Sequence, residues 1–269
     1  MIRPPAVAGT FYPSDPRELT RQIDKLTAEA TPAAKMAARG CLVPHAGYMY
    51  SGHVAAEVFA SIEIPARCIL LGPRHYPRGE ATAILSAGSF ATPLGEAQID
   101  SALARNLAYE YPRLREDAVA HEREHSLEVE IPFLQRLVPN LRFVPVVLAM
   151  DRYPAIEDLG KAVARVVASQ AGPVLVIASS DLNHYESDAI TRAKDEGAIA
   201  RILELDAPGL YETVRREQIS MCGYAATVAM LVAMRELGAT QARLLRHATS
   251  ADVSGDSERV VGYAGIVVL

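Results

Sequence analysis

Three apolar runs in this chain each break off into a histidine. The run starting at Cys41 ends in Val-Pro before His45, the run starting at Cys68 ends in Gly-Pro-Arg before His75, and the run starting at Val174 leads through Ser179, Ser180 and Asp181 to His184. The third carries the most information. Its apolar, largely β-branched stretch over 174–177 has the pattern of a strand buried on both faces, and titratable side chains follow within a few residues. Open α/β sheets build their sites this way, in the crevice at the carboxyl ends of the strands. Three such ends predict three parallel strands aiming at one pocket.

The rest of the chain alternates in the same way. Asp15-Pro16 opens a helix in the favoured manner, with Leu19, Ile23 and Leu26 on one stripe. A small-residue connection containing a proline is expected over 28–39. Ser51 is a plausible cap for a helix over 54–62, and Asp100 for one through 109. Strands are expected over 81–85 and 143–148, and a helix over 154–169. Over 121–135 the pattern is an amphipathic helix, either kinked at Pro132 or starting close to it. Ser187 caps a helix through 205, an apolar helix covers 224–237, and strands over 242–247 and 260–269 finish the chain. Strand, loop and helix in repetition is the α/β signature. No Pro/Gly/Ser linker divides the sequence, so one domain over 1–269 is expected, with a mostly parallel sheet between helical layers.

Composition narrows the function. Half of the 269 residues are hydrophobic, enough for a sizeable core. The net charge of -5 is spread without blocks, which argues against nucleic acid or an anionic membrane as a partner. The first residues lack the charged-then-apolar layout of a secretory leader, and no apolar stretch reaches spanning length, so a soluble cytoplasmic protein is expected. Three cysteines, widely spaced and without a CxxC pair, exclude a disulfide framework. Cys41 and Cys68 open strand runs and read as buried small hydrophobes. The glycine elbow of serine hydrolases and both common phosphate-binding glycine loops are absent.

Seven histidines need sorting. His53, His121 and His247 have no evident partner and read as structural. His45, His75 and His184 share a topological position, which marks them as site residues. His125 sits in the acidic stretch EREHSLEVE, which reads either as a solvated face or as the setting of a general acid/base. Converging imidazoles with an anion nearby suggest a metal, because imidazole suits zinc, copper, iron and nickel, and two histidines plus one anion with open positions is the face used by non-haem iron. Asp181 and Cys222 are the candidate anions. Cys222 lies at a helix start, where a thiolate is expected to be favoured. His184 and Asp181 come from a single strand end, whereas a metal draws ligands from several. His184 is therefore expected to transfer protons, with Asp181 orienting it or holding a water, and His125 is the alternative for that role.

In order along the chain, RPPAVAGTFYPSD, VPHAGYMYSG, GPRH, EHSLEVEIPFLQ, SSDLNHY, CGY and GDSERVVGYAGIVVL together resemble the Memo family, whose prokaryotic members are called AmmeMemoRadiSam system protein B. The resemblance covers essentially the whole chain. It implies a three-layer α/β/α sandwich similar to the class III extradiol dioxygenases, which are non-haem iron enzymes. It also implies His45, His75 and Cys222 as metal-site positions, with Asp181 and His184 beside them, and iron or copper as the redox metal. Arg74 stands before His75 where the family pattern has asparagine. The activity implied is that of a metal-dependent oxidoreductase acting on a small molecule, and the alternative is a scaffold that binds a peptide or partner protein in a dioxygenase-like cleft. A radical-SAM enzyme and an AMMECR-like protein are the implied system partners.

Overall fold

Each of the three apolar runs becomes a central strand. The structure, a computed structural model, describes residues 1–30 and 34–269; Pro32, the proline of the expected connection, lies outside the described residues. An extended arm contributes β1 (Ile2–Arg3) and leads to α1 (Pro16–Glu29), where the Asp15 carboxylate accepts the Glu18 N–H at 2.8 Å and Leu19 and Ile23 are buried. Then come β2 (Gly40–Val43), α2 (Tyr48–Ser61), β3 (Arg67–Pro73), β4 (Thr82–Ile84), β5 (Ser89–Thr92), β6 (Gly95–Ile99) and α3 (Ser101–Glu110). The middle of the chain holds β7 (Arg115–Glu116), α4 (Ala118–His121), a 3-10 turn (Glu128–Glu130), α5 (Ile131–Leu137), β8 (Arg142–Leu148) and α6 (Tyr153–Ala168). The remainder is β9 (Leu175–Ser179), β10 (His184–Glu186), α7 (Asp188–Leu203), α8 (Ala207–Arg216), α9 (Tyr224–Glu236), β11 (Ala242–Thr249), α10 (Ala251–Ser254) and β12 (Val260–Val268).

One sheet runs in the order β1-β5-β6-β8-β3-β9-β2-β12-β10. Its centre is parallel: β3 pairs with β8 and β9, and β9 pairs with β2. Antiparallel β12 and β11 extend the β2 side, and the β5–β6 hairpin extends the β8 side. Register aligns the strand ends, since Val43 lies opposite Ser179 and Leu71 opposite Ala178. The chain therefore leaves β2, β3 and β9 along one edge of the sheet. Helices α3, α6, α9, α8 and α7 pack in sequence on one face, and α1, α2 and α5 on the other. This makes the three-layer α/β/α sandwich. Helix α9 lies over the central strands and is buried from Ala225 through Met234, which is why its sequence lacks a polar stripe.

Three local expectations differ from the structure. Helix α2 starts at Tyr48, before the expected position, with Gly47 as its cap; the Ser51 hydroxyl lies inside the helix and donates to the Ala46 carbonyl at 3.0 Å. The 121–135 stretch is not one helix. Only α5 is regular, with Pro132 in its first turn where a missing N–H costs nothing, and residues 122–127 form a loop. The β5–β6 hairpin, turning at Pro93-Leu94 with Gly95 at φ +111°, had no counterpart in the sequence reading.

Candidate metal centre

His45 follows β2 by two residues, His75 follows β3 by two, and His125 lies in the loop before the 3-10 turn. One ring nitrogen from each lies within 4.8 Å of the others, a spacing that can hold a metal ion. The His75 and His125 rings stack at 4.4 Å, and His45 stands edge-on to both, at 5.2 and 5.6 Å.

Hydrogen bonds fix which nitrogens face inward. Ser179, the last residue of β9, has one hydroxyl proton and two acceptors beside it, the Ser126 carbonyl at 2.7 Å and Glu130 Oε1 at 3.1 Å. Whichever takes the proton, the Ser179 oxygen is left as acceptor for His45 Nδ1, 2.7 Å away. His45 thus carries its proton on Nδ1 and presents its Nε2 lone pair as the donor atom. His75 is set in the same way by Glu124. The Glu124 carboxylate receives His75 Nδ1 at 2.8 Å and the His75 backbone N–H at 2.5 Å, leaving Nε2 of His75 unengaged. His125 Nδ1 is buried with no hydrogen-bond partner.

Charge at the site follows from burial. Desolvation, reinforced by His75, His125 and His184, holds His45 well below the usual histidine range. Burial and the neighbouring His75 lower His125 to about 4. Burial opposes charge on Glu124 as well, but the His75 hydrogen bond and the Ser126 N–H hold its carboxyl down to about 2. The group thus contains neutral His45 and His125, an orphaned nitrogen and a carboxylate behind one ring, which is the donor chemistry a divalent metal requires.

Cys222 precedes the α9 cap residue Gly223, and its Sγ lies 3.3 Å from His45 Nε2. Its thiolate was expected to be favoured by the helix start. In the structure burial, with Asp181 nearby, pushes the thiol well up, because desolvation outweighs the helix terminus. Asp181 is buried, and its Oδ1 accepts the His45 backbone N–H at 2.8 Å. Its carboxyl therefore holds the turn after β2. Burial raises its pKa, while His184 and that N–H pull the other way. His184 lines the same cavity as His45, His75 and His125, with a buried, unpartnered Nδ1. The next residue, Tyr185, sits in the left-handed region at φ +63° where β10 slips register against β12. Backbone strain of this kind clusters at functional sites.

The cavity has a volume of about 850 Å³. Its walls come from the arm (Thr10, Phe11), from α2 (Met49, Tyr50) and from the β10 and β12 region (Tyr185, Arg259, Tyr263). Cys222 and Arg74 do not line it. Of the two readings of the acidic stretch, the solvated face is excluded: Glu124 and Glu128 are buried, as is Glu130. Of the histidines read as structural, His121 is buried and His247 pairs with the buried Asp195 at 2.9 Å. Among the described residues, no helix is long and apolar enough to cross a membrane.

Comparison with known proteins agrees over the full chain. The family model described as Memo-like protein matches residues 3–267. A MEMO1 family protein of Caldivirga maquilingensis is 41% identical over 277 residues, covering 99% of this chain and 98% of the relative. One of Methanopyrus kandleri is 42% identical over 279 residues, covering 99% of each. Among solved structures, an uncharacterized protein of Escherichia coli K12 superposes with a TM-score of 0.56 at 13% identity, covering 83% of this chain and 98% of that one, a likeness of fold alone. The chain belongs to the Memo-like protein family.

Proposed function

We propose that this protein is a metal-dependent oxidoreductase acting on a small molecule in the cavity above His45, His75 and His125. One observation carries the reading: three imidazoles converge within 4.8 Å at the carboxyl edge of the sheet, with Ser179 and Glu124 fixing the tautomers of two. His45, His75 and His125 would hold the ion, and iron or copper there supplies redox chemistry to a bound substrate. Ser179 and Glu124 keep two of those rings aimed, and Asp181 anchors the turn that presents His45. His184, which lines the cavity, moves a proton to or from the substrate there.

A second ligand set, His45, His75 and Cys222, is favoured by the 3.3 Å approach of the thiol to His45 Nε2. It requires a thiolate, which burial opposes.

The test is metal analysis of anaerobically purified protein, wild type and His75→Ala, together with oxygen consumption on metal loading. About one redox metal per wild-type chain and none in folded His75→Ala is the expected result. Folded wild type that takes up no metal, yet binds peptides tightly, would instead establish the scaffold role.

A further inference from the structure

Arg3 lies more than a hundred residues in sequence from the loop that brings Glu124 and His125 to the metal centre, yet its side chain is 4% exposed and spent almost wholly on that loop. Nε donates to the His121 carbonyl at 2.6 Å and Nη2 to the Glu124 carbonyl at 2.6 Å. Nη1 donates to Glu128 Oε2 at 2.5 Å and to the Pro4 carbonyl at 3.1 Å. The guanidinium plane packs over the Phe90 ring at 4.5 Å. Glu128, with no exposed surface, also accepts the N–H groups of Ala6 and Val7 at 2.8 and 3.0 Å and the Tyr12 hydroxyl at 2.5 Å. The arm is thereby stitched to the 121–128 segment from both sides.

That segment needs such a hold. Residues 122–127 have no helix or sheet ladder to fix them, yet Glu124 aims His75 and His125 offers its own ring. Phe11, further along the arm and also lining the cavity, stands edge-on to His125, ring centroids 4.9 Å apart. The planar fork of an arginine can serve two carbonyls and a carboxylate at once, which the single ammonium of a lysine cannot.

We propose that Arg3 is a positioning residue for the metal centre, fixing through the His121 and Glu124 carbonyls and the Glu128 carboxyl the loop from which Glu124 and His125 act. The assignment rests on the metal-centre reading above. It makes the arm part of the site, so that metal affinity and geometry depend on a side chain that touches no ligand.

Cobalt(II) is the probe, because its visible ligand-field band reports coordination geometry independently of turnover. Wild type, Arg3→Lys, Arg3→Gln and Gly160→Ala are titrated with Co(II), and folding is followed by far-UV circular dichroism and thermal unfolding. Wild type binds one Co(II) with a defined band. Arg3→Lys keeps the buried cation and its bond to Glu128 but loses the carbonyl contacts; it folds, binds Co(II) about 10- to 100-fold more weakly, and shows an altered band. Gly160→Ala, which loosens helix packing away from the site, loses stability with the wild-type band intact. Co(II) affinity and band equal to wild type in whichever Arg3 variant folds would overturn the assignment, as would an equal band change in Gly160→Ala. Wild type that binds no Co(II) would overturn the metal-centre reading itself.

Discussion

Nδ1 of His75 lies 2.8 Å from Oε1 of Glu124, and the other oxygen of the same carboxylate accepts the backbone N–H of His75. A buried carboxylate behind a ligating imidazole fixes the tautomer and strengthens the free nitrogen as a donor. Glu124→Gln preserves shape and one acceptor but removes the charge. Metal affinity is expected to fall about 10- to 100-fold, with the fold retained. Isothermal titration with Co(II) or Fe(II) checks this, and unchanged affinity would remove Glu124 from the site.

The two ligand sets separate by proton release. His45 and His125 are held below the ordinary histidine range, so both are already neutral above neutral pH, and binding to them releases no proton there. Burial pushes the Cys222 thiol above its ordinary value of 9.0, so recruiting it as thiolate expels a proton throughout the range up to that value. Affinity through imidazoles alone is expected to be flat between about pH 7 and 9; with Cys222 in the set it rises about tenfold per pH unit. The same titrations on Cys222→Ser should be indistinguishable from wild type for the all-imidazole set.

Helices α6 and α9 pack with the Gly160 backbone against α9. A Cβ built there would lie 2.6 Å from the Ala229 carbonyl oxygen and 2.6 Å from Val232 Cβ. Backbone cannot give way cheaply, so Gly160→Ala forces the helices apart, at a cost of about 1–3 kcal/mol. Denaturant unfolding measures it, and a stability within error of wild type would show that the helices separate freely.

What the sequence disclosed and what it hid follow from how far apart the partners lie. His45, His75 and His184 were legible because each follows an apolar run, and buried parallel strands leave that trace in a single sequence. Asp15 and Asp100 were legible as caps because their bonds are local, to Glu18 and Leu103. The two readings of the acidic stretch stayed open because its partners are remote: Glu124 is held by His75 and Glu130 by Ser179, each 49 residues away, and Glu128 by Arg3, Tyr12 and the Ala6 and Val7 N–H groups, over a hundred residues away. The same distance hid the place of His125, since the EREHSLEVE pattern reads as helix until Arg3 claims the His121 and Glu124 carbonyls. The early start of α2 had no signal because Gly47 offers no capping side chain. The β5–β6 turn did have one, in Pro93-Leu94-Gly95.

His184 and Asp181 share one strand end but occupy different environments. His184 lines the cavity with Nδ1 unpartnered, while Asp181 is buried and already bonded to the His45 backbone N–H. An imidazole lining the cavity suits proton transfer, a role that contributes about 100- to 10,000-fold in rate. His184→Ala is therefore expected to keep its metal and lose turnover by that order. Asp181→Asn acts by another route. The amide can still accept the His45 N–H through its oxygen, so the turn that presents His45 is kept while the carboxyl itself is lost. Its rate loss should be smaller, because the amide keeps the bond that positions His45. Metal content and the turnover rate of both variants decide the roles. Loss of metal in His184→Ala would make His184 a ligand. An Asp181→Asn rate equal to wild type would leave Asp181 as the anchor of the His45 turn alone.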